Sequence, residues 1–220
     1  MPVDIVVMKA VNAENAARAA EVRAVLNQSG VLGLNLMSSP GSGKTTLLEA
    51  MFKHWGEDVR SCVVEGDVFT SIDAERIAKH GVEVIQVNTE GSCHMTAHML
   101  KEILPRLALE NTDVLFIENI GNLICPASFD LGEHRRIALI STPEGADKVE
   151  KYPKLFSVSH ANVISKADLA DVLEFDIAAV TKQLKKLNPE APVFVTSAKT
   201  GEGVAEFCEW LLSENKETDN

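Results

Sequence analysis

Apolar residues along this chain recur in two alternating rhythms. Short runs such as GLNLM (33–37), VRSCVVE (59–65), VEVIQV (82–87), DVLFIE (113–118), RIALIST (136–142), NVISKA (162–167) and PVFVTS (192–197) are rich in β-branched and aliphatic residues and too brief for helices, so they predict strands. Between them lie longer stretches with apolar residues three and four positions apart. TTLLEAMFKHW (45–55), IDAERIAKH (72–80) stopped by Gly81, CHMTAHMLKEILPRLAL (93–109), residues 171–187 and VAEFCEWLLSE (204–214) predict helices. Pro105 divides the third of these. A further helix, residues 12–28, precedes Gly30 and leads into the first strand. Strands alternating with helices predict an α/β fold, a mainly parallel sheet with helices on both faces. No repeat or linker interrupts the pattern. The expected organisation is a helical lead-in over 1–30, one domain over 31–215 and a polar, fraying tail over 216–220.

Charge narrows the partners. Lys and Arg number 21 against 32 Asp and Glu, a net charge of −11, which disfavours a general nucleic-acid binder but leaves room for one local phosphate site. No apolar run approaches the ~20 residues of a membrane span, and the N-terminal thirty residues lack a secretory layout. A cytoplasmic protein without membrane contact is expected. Its four cysteines, Cys62, Cys93, Cys125 and Cys208, are too sparse for a disulfide scaffold, so they are expected to be thiols.

The first predicted strand runs into SSPGSGKTT (38–46) and then a helix, the setting of a P-loop. Gly41, Ser42 and Gly43 let successive backbone N–H groups face phosphate oxygens, Lys44 supplies a point charge to the β- and γ-phosphates, and Thr45, followed by Thr46, offers a hydroxyl to Mg²⁺. Ser38 stands where the pattern usually has its first glycine. Glu118 closes the strand DVLFIE and Asp67 follows the strand VRSCVVE, both at the sheet edge where ligands of such folds bind. Thr45, Asp67 and Glu118 are the expected magnesium residues, and Lys44, Asp67 and Glu118 those expected to act in catalysis. Asp73 is a weaker candidate for ordering water, and Asp67 could instead be a turn or capping aspartate. Glu118-Asn119-Ile120-Gly121 occupies the place of a nucleotide switch, where the Gly121 N–H can bond a γ-phosphate and lose it on hydrolysis.

Base choice is written near the C-terminus. In SKAD (165–168), Asp168 can accept from N1–H and the 2-amino group of guanine, donors that adenine lacks there. Lys166 would cover the base face, and the turn Ser197-Ala198-Lys199 could bring N–H groups to O6. Ser165 replaces the asparagine usual in this motif. After Gly121 come Asn122 and Leu123 in place of a water-orienting glutamine, and no arginine finger declares itself, so hydrolysis is expected to be slow.

TEGSCHMTAHM (89–99) and ENIGNLICPASFDLGE (118–133) carry the remaining chemistry. Cys93, His94 and Cys125 can converge on one face of the sheet as ligands suited to Zn²⁺ or Ni²⁺, with a coordination position left open. The residues alone equally allow Cys93 and Cys125 as small buried thiols and His94 as a surface residue. His98 is a possible fourth ligand or a helix-surface residue, and Cys62 and Cys208 read as core.

GSGKTT, EGDVFTSIDAERI, VNTEGSCHMTAHM and ENIGNLICPASFDLGE together resemble the HypB family, GTPases that help insert nickel into [NiFe]-hydrogenase. The resemblance runs from about residue 10 to near the end. It implies a P-loop NTPase of the SIMIBI class that binds GTP, dimerises on doing so, and works with the nickel chaperone HypA toward the hydrogenase large-subunit precursor. It also implies a metal site at Cys93, His94 and Cys125. The stretch MPVDIVVMKAVNAENAA has neither the cysteine-rich motif nor the histidine-rich segment of some members, so a second tight nickel site is not expected. Rival readings are a urease-accessory-type GTPase and a P-loop kinase with a structural zinc site.

Overall fold

Each apolar run is followed by a crossover that returns the chain to the same edge, and the result is one parallel sheet. The computed structural model describes residues 6–67, 72–89 and 91–217, with side chains over 13–66, 72–89 and 91–214. In chain order the strands are β1 (Leu32–Ser38), β2 (Ser61–Asp67), β3 (Glu83–Asn88), β4 (Val114–Glu118), β5 (Arg135–Ser141), β6 (Ala161–Ser165) and β7 (Val193–Val195). Their spatial order is β3-β2-β4-β1-β5-β6-β7, every pair parallel. The helices are α1 (Val6–Ser29), α2 (Lys44–Trp55), α3 (Ile72–Ala78), α4 (Ala97–Ile103), α5 (Lys148–Lys151), α6 (Pro153–Ser157), α7 (Ile177–Leu187) and α8 (Val204–Glu217).

Strand alternation divides the core into two faces. Leu32, Leu34, Leu36, Val63 and Phe116 point to one side, where they meet Leu47, Leu48 and Met51 of α2 and Phe207 and Leu211 of α8. Cys62, Val64, Leu115 and Ile117 point to the other, against Val22 and Leu26 of α1 and Leu100 of α4. Met37, Ala138, Ile140 and Ile164 continue that second face beneath Leu155, Phe156, Val180 and Leu184. All of these side chains are essentially water-free, and each of the Val, Leu, Ile, Phe and Met side chains contributes about 1.5–3 kcal/mol by burial. α1 belongs to the same core: Ala19 and Val22 crowd Gly132, where a Cβ would lie 2.5 Å from the Ala19 carbonyl oxygen.

Two predicted helices begin later than expected. The helix anticipated from Cys93 starts at Ala97, because Thr96 adopts an extended backbone and its hydroxyl accepts from the Met99 N–H, capping the first turn. Cys93 and His94 therefore lie on the loop before α4. The helix anticipated from residue 171 starts at Ile177, where Asp176 caps the Ala179 N–H at 2.9 Å and Glu174 takes a left-handed backbone that no helix continues through. Pro105 does divide its segment: α4 ends at Ile103 and a 3₁₀ turn follows. α8 runs on to Glu217 into the expected tail, whose residues 218–220 lie outside the described residues. Among the described residues no helix is long and apolar enough to cross a membrane.

Candidate nucleotide and metal site

The C-terminal edge of the sheet gathers the ends of β1, β4 and β6, with the turn after β7 beside them. β1 delivers the phosphate loop. Gly43 precedes α2 with φ +95°, a left-handed conformation that glycine adopts without cost. Within the loop, the Ser38 hydroxyl receives both the Ser42 hydroxyl at 2.5 Å and the Lys44 ammonium at 3.0 Å. Ser38 is thus an anchor inside the cradle, a role that its place as a departure from the glycine pattern does not announce. Burial holds the Lys44 ammonium below its usual range, opposed chiefly by Glu118.

Thr45 donates its hydroxyl to Glu118 Oε1 at 2.7 Å. The carboxylate is 5% exposed, its Oε2 has no hydrogen-bond partner, and burial pushes its pKa up. An acceptor this dry favours a cation. Thr45 and Glu118 thus stand as a magnesium site would need them, and Glu65 lies in register beside Glu118 on β2. β2 ends at Asp67, opposite Asn88 of β3; the side chain of Asp67 lies outside the described residues. Asp73 is paired with Arg76 at 2.8 Å, and Arg76 also holds Glu49 and, at 3.0 Å, the hydroxyl of Thr46, so α3 is latched to α2.

A cavity of about 300 Å³ joins the phosphate loop to the predicted base residues. Ser42, Gly43 and Thr46 line one side, and Lys166, Asp168, Ala198 and Lys199 the other. Lys166 donates to the Gly41 carbonyl at 2.7 Å, laying its stem over the loop. Ser197 donates its hydroxyl to Asp168 Oδ1 at 2.7 Å, and Lys199 stands 3.9 Å from Oδ2. Ser165 braces the site by donating to the Ser42 carbonyl at 2.7 Å. A hydroxyl there still ties the base motif to the phosphate loop, despite replacing an amide.

Gly121 packs on Pro40 so closely that a Cβ would lie 2.6–2.8 Å from the proline's N, Cα and Cγ. Four residues on, Cys125 meets Cys93. The ligand atoms of Cys93, His94 and Cys125 all lie within 4.8 Å of one another. The two sulfurs are 2.9 Å apart, with His94 Nδ1 3.5 Å from the Cys93 sulfur. Two thiols and an imidazole form a donor set for a soft or borderline divalent metal. Contact with Cys125, then burial, raises the Cys93 thiol, while burial lowers His94, the direction that favours the neutral ring a ligand requires. His94 stacks on Phe129 with ring centroids 4.0 Å apart. His98 is exposed and outside this cluster. Cys62 and Cys208 are buried, their thiols pushed up to about 12 by burial, as core residues should be.

Comparison with known proteins agrees with this geometry. The profile of the family described as CobW/HypB/UreG, nucleotide-binding domain, matches residues 33–195. The hydrogenase/urease maturation factor HypB of Helicobacter pylori is 43% identical, over 97% of this chain and 89% of its own length. This chain belongs to the HypB family. A crystal structure of Helicobacter pylori HypB in complex with nickel superposes with a TM-score of 0.88 at 43% identity, covering 93% of this chain and 96% of that one. FtsY from Mycoplasma mycoides, 15% identical, superposes at 0.58 over 84% of this chain and 67% of its own, and shows the fold alone. The chain accordingly has the SIMIBI-class P-loop fold, with a nucleotide-binding domain and a Cys/His cluster beside it.

Three asparagines in the cluster's surroundings carry no signal at the sequence level. Asn15 of α1 accepts from the Ala97 N–H at 3.2 Å and donates to the Asp130 carbonyl at 2.7 Å. Asn119 accepts from the Met95 N–H at 3.2 Å, and Asn122 donates to the Cys93 carbonyl at 3.2 Å. Each joins segments far apart in the chain, and no spacing rule reveals such a bond.

Proposed function

We propose that this HypB protein is a GTP-hydrolysing metallochaperone that assists nickel insertion into [NiFe]-hydrogenase, its nucleotide state coupled to the Cys93–His94–Cys125 site. One observation supports this reading above the rest: Cys125 shares a loop with Gly121, and Gly121 touches Pro40 of the phosphate loop. If γ-phosphate moves Gly121, the thiol four residues away moves with it, and metal affinity must differ between the two states.

GTP is the substrate and nickel the cargo; zinc suits the same ligands. Asp168, Lys166 and the Ser197–Lys199 turn select guanine, and Gly41 to Thr46 hold the phosphates. Mg²⁺ would sit on Thr45 and Glu118 with Asp67 nearby, and when bound it neutralises charge developing on the phosphate oxygens. Lys44 stabilises the same charge from the loop side. With Asn122 and Leu123 after Gly121, no glutamine follows to orient water, and intrinsic turnover is slow. Residues 31–215 act as the GTPase domain behind the lead-in 1–30. The protein pairs with a second copy on binding GTP, receives nickel from HypA and serves the hydrogenase large-subunit precursor in the cytoplasm.

The name of the Helicobacter pylori relative, hydrogenase/urease maturation factor, favours urease as a second client. Activation of apo-urease by this chain, with none of apo-hydrogenase, would exchange the two readings.

The primary test is titration of Ni²⁺ and Zn²⁺ into the protein in GDP and in a non-hydrolysable GTP analogue, with light scattering to follow oligomeric state. Metal affinity or stoichiometry should change with nucleotide, and the analogue should raise the dimer fraction. Equal metal affinity in both states rejects a nucleotide-switched cargo site.

A further inference from the structure

Resting on the coupled reading above, we infer that Asn122 is the positioning residue that transmits nucleotide state to both thiol ligands. Its side-chain amide joins the two ligand loops. Oδ1 accepts from the backbone N–H of Ile124 at 2.8 Å and of Cys125 at 3.4 Å, while Nδ2 donates to the Cys93 carbonyl at 3.2 Å. The two halves fix each other's orientation, since only the oxygen can take the amides and only the nitrogen can give to the carbonyl.

The neighbourhood separates a fixed side from a moving one. Asn119, on the β4 side of Gly121, is tied to β1: its N–H bonds the Leu36 carbonyl at 3.1 Å, and Nδ2 donates to Asn35 Oδ1 at 3.1 Å. Through Oδ1 it also fixes the Met95 N–H. The metal loop is therefore anchored to the sheet at residue 95, while Cys93, two residues earlier, is held by Asn122. Asn122 follows Gly121 on the far side of that anchor. A displacement of Gly121 against Pro40 reaches Asn122 directly. Asn122 then pulls on the Cys93 carbonyl while carrying the Cys125 amide along, so it alters the separation of the two sulfurs.

The experiment compares full-length wild type, Asn122→Ala and Asn122→Asp by Ni²⁺ titration, each in GDP and in a non-hydrolysable GTP analogue. Nucleotide affinity and melting temperature serve as controls. Asp keeps the acceptor for Ile124 and Cys125 and loses the donor to Cys93; Ala loses both. The wild-type ratio of affinities should fall in the range of about 5- to 150-fold typical of coupled sites. Both variants should bring that ratio to within about twofold of one, and the effect of Ni²⁺ on analogue affinity should shrink by the same factor, as linkage requires. Nickel stoichiometry and GDP affinity should be unchanged. A role confined to shaping the metal site would weaken Ni²⁺ equally in both states, and that result, or a wild-type ratio retained in the variants, overturns the assignment to Asn122 alone. A wild-type ratio of one overturns the coupled reading itself, and this inference with it. Should Asn122→Ala not fold, Asn122→Asp, which keeps the local turn, decides between the same outcomes.

Discussion

The sulfurs of Cys93 and Cys125, 32 residues apart in sequence, stand 2.9 Å from each other at the mouth of the switch loop. A tetrahedral metal with metal–sulfur bonds of about 2.3 Å holds two thiolates about 3.8 Å apart, so binding requires the loops to part by only about an ångström. Structural zinc binds four such ligands with about 10–16 kcal/mol, a few kcal/mol for each. Cys93→Ala or Cys125→Ala should therefore lower Ni²⁺ or Zn²⁺ affinity by on the order of 100-fold, with GTP affinity unchanged. Competition against a chromophoric chelator measures this. Stoichiometric metal retained by the double variant would remove these thiols from the site.

Asp168 holds the Ser197 hydroxyl at 2.7 Å and faces the cavity that the phosphate loop shares. A carboxylate so placed rewards the two donors of guanine and is left without them by adenine. Sites that read a base through such bonds discriminate by about 10⁴ or more. Asp168→Ala should erase most of the preference for GTP over ATP while leaving the phosphate contacts in place. Displacement of a fluorescent guanine nucleotide by each triphosphate gives the ratio. If the variant still prefers GTP by the wild-type factor, guanine is read elsewhere.

The sheet and the phosphate loop were legible in sequence because both depend on local rules: strand runs, helix spacing and GSGKTT at a strand end. Convergence of Cys93, His94 and Cys125 was legible only as a possibility, since it requires β3, β2 and β4 to lie side by side in register. What spacing could not reach was side-chain traffic between loops. Ser38 looks like a missing glycine and is the partner of Lys44. Thr96 looks like a helix-interior residue and is the cap that leaves Cys93 and His94 on a loop. Asn119 and Asn122 resemble ordinary turn residues, and their bonds to Met95 and Cys93 follow from tertiary placement alone.

Gly121 has no space for a side chain. A Cβ would meet the Pro40 backbone at 2.6 and 2.7 Å, and neither segment can yield without disturbing the phosphate loop or the switch. Gly121→Ala should destabilise the protein by about 1–3 kcal/mol as overpacking does, lowering the melting temperature by roughly 2–4 °C per kcal/mol in a domain of this size. Affinity for the non-hydrolysable GTP analogue should fall more than affinity for GDP if, as proposed, the Gly121 segment responds to the γ-phosphate. An alanine variant with wild-type melting and nucleotide binding would mean that Pro40 and Gly121 do not communicate.

Stability should also weaken in mild acid, through His134. Its Nδ1 accepts the Gly33 N–H at 2.8 Å, and its Nε2 lies 2.8 Å from Asn27 Oδ1, so the neutral ring links β1, β5 and the end of α1. Burial, then Arg23 and Arg135, holds its pKa below the ordinary 6.5. His160 is lowered likewise, by burial and then Arg135 and Arg136, while its Nδ1 accepts the Arg136 N–H. A base with a depressed folded pKa takes up protons in the unfolded chain first. The unfolded state then binds more protons below pH 6.5, and stability contributed by the neutral ring is full above that pH and lost as pH falls through the folded value. Urea unfolding at pH 7.5 and 5.5 should show a lower midpoint at the acid pH with an unchanged m-value. His134→Asn, whose side chain can still accept from Gly33 but cannot titrate, should lose less stability than wild type between the two pH values. Equal losses would place the acid sensitivity on other groups and leave His134 a spectator.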